Sequence, residues 1–308
     1  MTRDVRLTLG PLLYNWPAGQ RLDFYRAIAA DDTYDAVVLG EVVCAKRSPF
    51  VSDATLEAAQ FLAQAGKEVV FSTLALPVTP RERAELADIC GMAGDGVAVE
   101  ANEAGALYLL DGRPHRVGPY FNIYNADTLR VLARRGATSV CLPWELEMSS
   151  VEAITGAGRD LGLTVEVPVF GSIPLAISAR CAHARAHGLA KDGCQYVCGQ
   201  DAEGMAVGTL DGQTFLRVNG TQTLSDAVLV LAEEIPALVA AGVSALRITP
   251  EGVDMVAVGR VYRDLLDGVV DGAMAEGTLR ALLGDRRAAN GYLHGAAGAG
   301  WERVNATA

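Results

Sequence analysis

Long apolar runs, basic clusters and the short motifs of nucleotide and hydrolase chemistry are all missing from this 308-residue chain. The longest apolar run, about Ile235 to Ile248, is broken by Pro236, Gly242 and Ser244 and is too short to span a bilayer, so it predicts a core helix followed by a strand. Met1 to Gly10 has no apolar stretch of signal-peptide length, which predicts a cytoplasmic protein with reduced cysteines. Lysine and arginine number 26 against 37 aspartates and glutamates, a formal net charge of −11. A field of that sign repels phosphate backbones and argues against nucleic acid as a partner. No G-x-G-x-x-G opens a helix, and there is no Walker loop, H-E-x-x-H or G-x-S-x-G.

What the chain does have is apolar content, half of its residues, enough to bury a large core. Short β-rich runs alternate with helical patterns, the mark of repeated βα units and a parallel sheet. The expected strands are Arg6–Leu9, Ala36–Leu39, Glu68–Ser72, Gly96–Glu100, Val117–Asn122, Ser139–Leu142, Thr164–Val169 and Ala245–Thr249. Eight such strands close a TIM-like (β/α) barrel, a single α/β domain over residues 1–308. Helical patterns fall between them at Gln20–Ala30, Asp53–Ala65, Pro80–Cys90, Ala101–Leu110, Ala126–Arg135 and Ser149–Leu161, then at Ser225–Ala241 and Val253–Leu266. Residues 171–220 break the rhythm after the seventh strand and predict an inserted lobe, with turns or a hairpin in its Gly/Asp-rich part, Gly199 to Gly212. The Gly/Ala tail from Gly291 to Gly300 predicts a mobile end.

Three of the six cysteines, Cys181, Cys194 and Cys198, lie in that lobe, and Cys44 lies just past the second strand. Barrel loops at strand C-termini share one face, so topology predicts that Cys44 converges with the other three. Four thiolates suit tetrahedral zinc or an iron–sulfur cluster; one short C-x3-C pair is less natural for zinc, and a remote ligand is tolerated by clusters. The alternative is that some are buried apolar thiols, which is the expectation for Cys90 and for Cys141 within an apolar strand. His183 and His187, four apart among alanines and Arg185, predict a solvated helix face and are secondary ligand candidates. His115 and His294 sit in expected loops, without evident partners. Glu41, Asn122, Asn125, Glu145 and Glu166 fall near strand ends, where barrel enzymes keep acids, bases and donors, although Asn125 also suits a helix N-cap. No nucleophile–base set for a peptidase assembles from these residues.

Four segments carry a resemblance: Leu9-Gly-Pro-Leu-Leu-Tyr-Asn-Trp-Pro17, Val38-Leu-Gly-Glu-Val-Val-Cys-Ala-Lys-Arg47, Glu166-Val-Pro-Val-Phe-Gly171 and Pro174-Leu-Ala-Ile-Ser-Ala-Arg-Cys-Ala-His-Ala-Arg185. Shorter matches at Asn122 to Asn125, Pro143 to Leu146 and Arg247 to Gly252 extend it along nearly the whole chain. Together they resemble the collagenase-like peptidase family, in its ubiquinone-biosynthesis branch. The family shows E-x-x-x-H-G-x-x-C-x-x-x-S-x-x-C, and this chain departs from it with Phe170 at the histidine and Pro174 at the first cysteine. The resemblance implies that Cys44 replaces the lost cysteine, so that Cys44, Cys181, Cys194 and Cys198 ligate a [4Fe-4S] cluster. It also implies a heterodimer with a UbiU-like subunit, required for oxygen-independent hydroxylation of ubiquinone precursors during anaerobic growth. Prephenate as oxygen donor and the lipid-binding carrier UbiT belong to the same implication. The alternatives are a non-catalytic partner with a structural cluster and a collagenase-like peptidase.

Overall fold

The strand that begins at Thr164 does not end at Val169 as expected but runs on to Ile177, and this extension shapes the molecule. The computed structural model describes residues 5–94 and 96–303. In chain order, β1 (Arg6–Leu9), α1 (Ala18–Ala29), β2 (Ala36–Leu39), α2 (Ser48–Gln64), β3 (Glu68–Ser72), α3 (Pro80–Gly91), β4 (Ala98–Ala101), α4 (Ala104–Leu109) and β5 (His115–Val117) make the first half. Then come α5 (Ala126–Arg134), β6 (Ala137–Cys141), α6 (Met148–Asp160), β7 (Thr164–Ile177) and α7 (Ala182–Ala186). The rest is β8 (Met205–Gly208), β9 (Thr214–Asn219), β10 (Gln222–Val230), α8 (Ile235–Ala240), β11 (Ala245–Ile248), α9 (Met255–Leu266), α10 (Gly272–Leu283) and β12 (Ala288–Ala289).

Strands β1 to β7 pair in sequence, all parallel, and β11 pairs with both β7 and β1, which closes an eight-stranded barrel ringed by helices. Its strands are buried along their length because both faces are covered, so they read as mostly apolar runs such as Ala-Val-Val-Leu, interrupted by a few buried charges such as Arg247 in Ala-Leu-Arg-Ile. Local signals start the outer helices: Thr79 and Glu82 form a reciprocal capping box on α3, Asn125 caps α5, and Asp254 caps α9.

The second half of β7 leaves the barrel and pairs antiparallel with β10, which continues through β9 to β8. Gly171 makes the exit possible: its φ is +115°, and a Cβ there would lie 2.6 Å from the Cβ of Thr249. A hairpin begins within the expected Gly199 to Gly212 and runs beyond it as β8 and β9, joined by a turn in which the Thr209 N–H donates to the Gln213 carbonyl and the Gln213 N–H donates to Thr209 Oγ1.

Three expectations need correction. Residues 222–230, whose latter part was expected to open a helix at Ser225, form β10, because Leu224 to Val230 is buried on both faces and such a run reads equally as strand or helix. Only Ile235–Ala240 is helical there. The fifth strand is His115–Val117 rather than Val117–Asn122, since Gly118-Pro119 withdraws an N–H and a short 3-10 turn follows. The Gly/Ala tail is folded down rather than loose: Asn290 and Gly291 donate to the Gly300 carbonyl, Leu293 is buried, and His294 Nε2 meets Glu234 at 2.9 Å. Among the described residues, no helix is long and apolar enough to cross a membrane.

Candidate functional site

Cys44 lies in the loop after β2, where Glu41 Oε1 accepts the backbone N–H groups of Val43 and Cys44, both at 3.0 Å, and curls the chain back over the barrel mouth. Cys181 caps α7, its sulfur accepting the Ala184 N–H at 3.3 Å. Between Cys194 and Cys198, Gln195 and Tyr196 both take left-handed backbone conformations, φ +49° and +55°. Two consecutive non-glycine residues there are uncommon and are held only where the surroundings demand it. The turn brings Cys194 and Cys198 to the same side, and all four thiols line one small cavity of about 20 Å³. The convergence predicted from topology is therefore observed.

The cavity wall also holds Lys46, Arg47 and Lys191. Arg47 is only 1% exposed, and its guanidinium donates to the Leu13 carbonyl and to Asn219 Oδ1, each at 2.8 Å. Burial opposes its charge, but Glu41, then Cys198 and Cys44, outweigh burial and push its pKa up. Gly220 accommodates it: a Cβ at that position would stand 2.6 Å from Arg47 Nη2. The Cys44 thiol is pushed up by burial, with Arg47 pulling the other way. Asn15 Nδ2 donates to Cys198 Sγ at 3.4 Å. Lys46 Nζ reaches the Lys191 carbonyl at 2.9 Å and ties the Cys44 loop to the segment that carries Cys194. Neither Arg47 nor Asn15 was singled out from the sequence, although both stand inside quoted segments, Arg47 three residues after Cys44.

Cys90 and Cys141 are core residues as expected; burial raises Cys90 to about 11 and Cys141 well above the ordinary thiol range. His183 departs from expectation, being fully buried, while His187 is exposed. His115 is buried on β5 with Nδ1 against the Arg113 carbonyl.

The strand-end polar residues separate into different roles. Glu166 is buried inside the barrel in contact with Arg247, Glu41 faces Arg21 and Arg47 at 3.8 Å, and Asn125 is the N-cap of α5. Asn122 and Glu145 line a cleft of about 370 Å³ at the strand C-termini with Tyr120, Tyr124, Trp144 and Pro174. Tyr120 and Trp144 meet edge to face at 5.6 Å, Tyr124 donates its hydroxyl to Glu145, and the buried Trp144 Nε1 has no hydrogen-bond partner. Pro174, at the family's cysteine position, thus stands on an aromatic cleft. A larger cavity of about 690 Å³, lined by Arg6, Glu68, His115 and Arg116, opens at the strands' N-terminal ends, opposite the thiols.

The sequence profile of peptidase family U32 matches residues 25–303. The chain belongs to peptidase family U32. This U32 chain is similar to the solved U32 peptidase Mk0906 at 13% identity, covering 82% of this chain and 95% of that one with a TM-score of 0.44. It is also similar to a dihydrodipicolinate synthase family protein from Coccidioides immitis, at 9% identity, 92% and 78% coverage and a TM-score of 0.48. A chain of the tryptophan synthase complex from Pyrococcus furiosus matches at 14% identity, 92% and 100% coverage and a TM-score of 0.44. The collagenase-like resemblance read from the sequence thus holds at the level of the family, and the barrel of this U32 chain follows from its own strand pairing.

Proposed function

We propose that this chain is the [4Fe-4S]-bearing subunit of a UbiU–UbiV-type heterodimer, acting in the UbiV position in oxygen-independent ring hydroxylation of ubiquinone precursors in the cytoplasm. The observation that carries the proposal is the convergence of Cys44, Cys181, Cys194 and Cys198, from segments about 140 residues apart, on one cavity. Two features suit an anionic thiolate-held cluster. Arg47 supplies a buried positive charge for an anionic thiolate cluster, and Asn15 and the Ala184 N–H donate to ligand sulfurs.

A [4Fe-4S] cluster with four thiolate ligands supplies one-electron transfer. The chain's own residues do the remaining work: the Cys44 loop and the lobe are tied by Lys46, Arg47 balances charge, and the cleft of Tyr120, Trp144 and Tyr124 suits an aromatic ring held edge to face. In this reading prephenate donates the oxygen, and UbiT carries the apolar precursor.

Membership of family U32 favours a second reading, a collagenase-like peptidase. Changing each of the four cysteines to serine in turn, purifying without air together with the UbiU-like partner, and measuring iron, sulfide and anaerobic ubiquinone separates these possibilities. The expected result is about four iron and four sulfide per chain in the parent, with loss of both the cluster and ubiquinone in each variant. Cluster loss with ubiquinone synthesis retained would make the cluster structural and this subunit non-catalytic. Gelatin hydrolysis by the cluster-free protein would favour the peptidase.

A further inference from the structure

We propose that His183, His187 and Asp201 form a second metal site, distinct from the four thiols, for a first-row divalent transition ion such as zinc. Among the described residues these three offer ligand atoms that all lie within 4.8 Å of one another. His183 is fully buried, and its Nδ1 lies 3.1 Å from the Val218 carbonyl. A carbonyl oxygen only accepts, so Nδ1 directs a proton at Val218 and Nε2 is the ring nitrogen turned toward Asp201. Metal-binding histidines are oriented by this arrangement, in which the other ring nitrogen donates to a backbone carbonyl.

The Nε2 of His183 stands 2.8 Å from Asp201 Oδ2, yet the oxygen lies off the line of a hydrogen bond, so a buried ring nitrogen is left without a hydrogen-bond partner. A cation bound by both atoms would give this buried nitrogen the partner it lacks. Off-axis placement of the oxygen is what such a cation requires, because it lies along the nitrogen's lone pair with the carboxylate to one side. His187 follows at i+4, just past the last turn of α7, its ring parallel to that of His183 at 5.5 Å and an interplanar angle of 6°, and one of its ring nitrogens lies within 4.8 Å of the other two ligand atoms.

The donor set selects the ion. Two imidazoles and one carboxylate suit zinc, iron, nickel or copper, whereas calcium and magnesium seek oxygen ligands. His187 is exposed and Asp201 half-buried, so water has access to a fourth position. The placement also suggests what the ion does. Cys181 caps α7, which carries His183 and ends against His187, and Asp201 lies three residues beyond Cys198. An ion bound by all three side chains ties the two cysteine-bearing segments together outside the cage.

Zinc would be counted in the full chain purified without air, beside His187→Ala and Asp201→Asn, both changes on accessible side chains. Expected is one zinc ion fewer per chain in each variant, whatever the thiols hold, and zinc affinity at this site weaker by at least ~10-fold. Cobalt(II) added to the parent is expected to give weak visible bands of a nitrogen–oxygen site that both variants lose, separate from the intense thiolate charge-transfer bands of the cage. Added zinc should raise the melting temperature of the parent more than that of the variants. Equal zinc content in parent and variants, with the cobalt bands unchanged, would overturn the proposal and leave His183 and Asp201 as a simple ion pair.

Discussion

Replacing Arg247 by methionine tests how the barrel tolerates charge in its interior. Arg247 is 2% exposed on β11, and its Nη2 contacts both Glu100 and Glu166, each 1% exposed. One cation thus serves two buried carboxylates. Burial works against the Glu166 carboxylate, but Arg247 and then Arg116 outweigh it and hold its pKa below the usual range. Removing one partner of a buried pair costs roughly 3–5 kcal/mol because the other charge is stranded. Here two are stranded, so R247M belongs at the upper end, about 5 kcal/mol at pH 7, or about 10 °C in melting temperature for a chain of this size. Glu166→Gln leaves Arg247 and Glu100 as a neutral pair and should cost clearly less. The pH dependence has a definite sign. In the parent, the contribution of Glu166 is present above the unfolded glutamate pKa and lost as pH falls through the lower folded value. In R247M the stranded carboxyls are raised, so protonation relieves them and the gap from the parent narrows as pH falls from 7 to 5. Urea unfolding of parent, R247M and E166Q at both pH values measures this. An R247M variant no less stable than E166Q at pH 7 would refute the reasoning.

Arg47→Met removes a buried positive charge beside the thiols and, on the proposed function, should lower iron retention and shift the midpoint potential of the proposed cluster negative, read by anaerobic redox titration. A parent-like potential would mean that Arg47 is not coupled to the cage. Gly171→Ala forces a side chain into a φ of +115° and against Thr249, and about 2–4 kcal/mol of destabilisation is expected in thermal melts. Glu68 is partly exposed and opposed by burial, but Arg116 and Arg6 hold its pKa below the usual carboxylate value. Its contribution should be present above an unfolded pKa of about 4.3 and fade as pH falls through the folded value, so parent and Glu68→Gln should converge in stability toward pH 3.

Strand positions at Arg6, Ala36, Glu68 and Thr164 were legible because buried parallel strands are short apolar runs bounded by helix signals, and a local rule reads them. The register around Ser225 was not, since a run buried on both faces has no period, and only its neighbours β7 and β9 decide that it is a strand. His183 looked solvated because its sequence neighbours are small or charged. It is buried because Val218 and Asp201, both distant along the chain, close over it.

The sequence by itself determined the barrel, the family and the cysteines worth watching, because βα periodicity, helix caps and residue identity are local properties. The tertiary structure decided which side chains surround them. Arg47 beside the thiols, Arg247 between two glutamates, and His183 facing Asp201 each join groups far apart in the chain, and the charge balance of such groups exists only once folding has brought them within a few ångströms of each other.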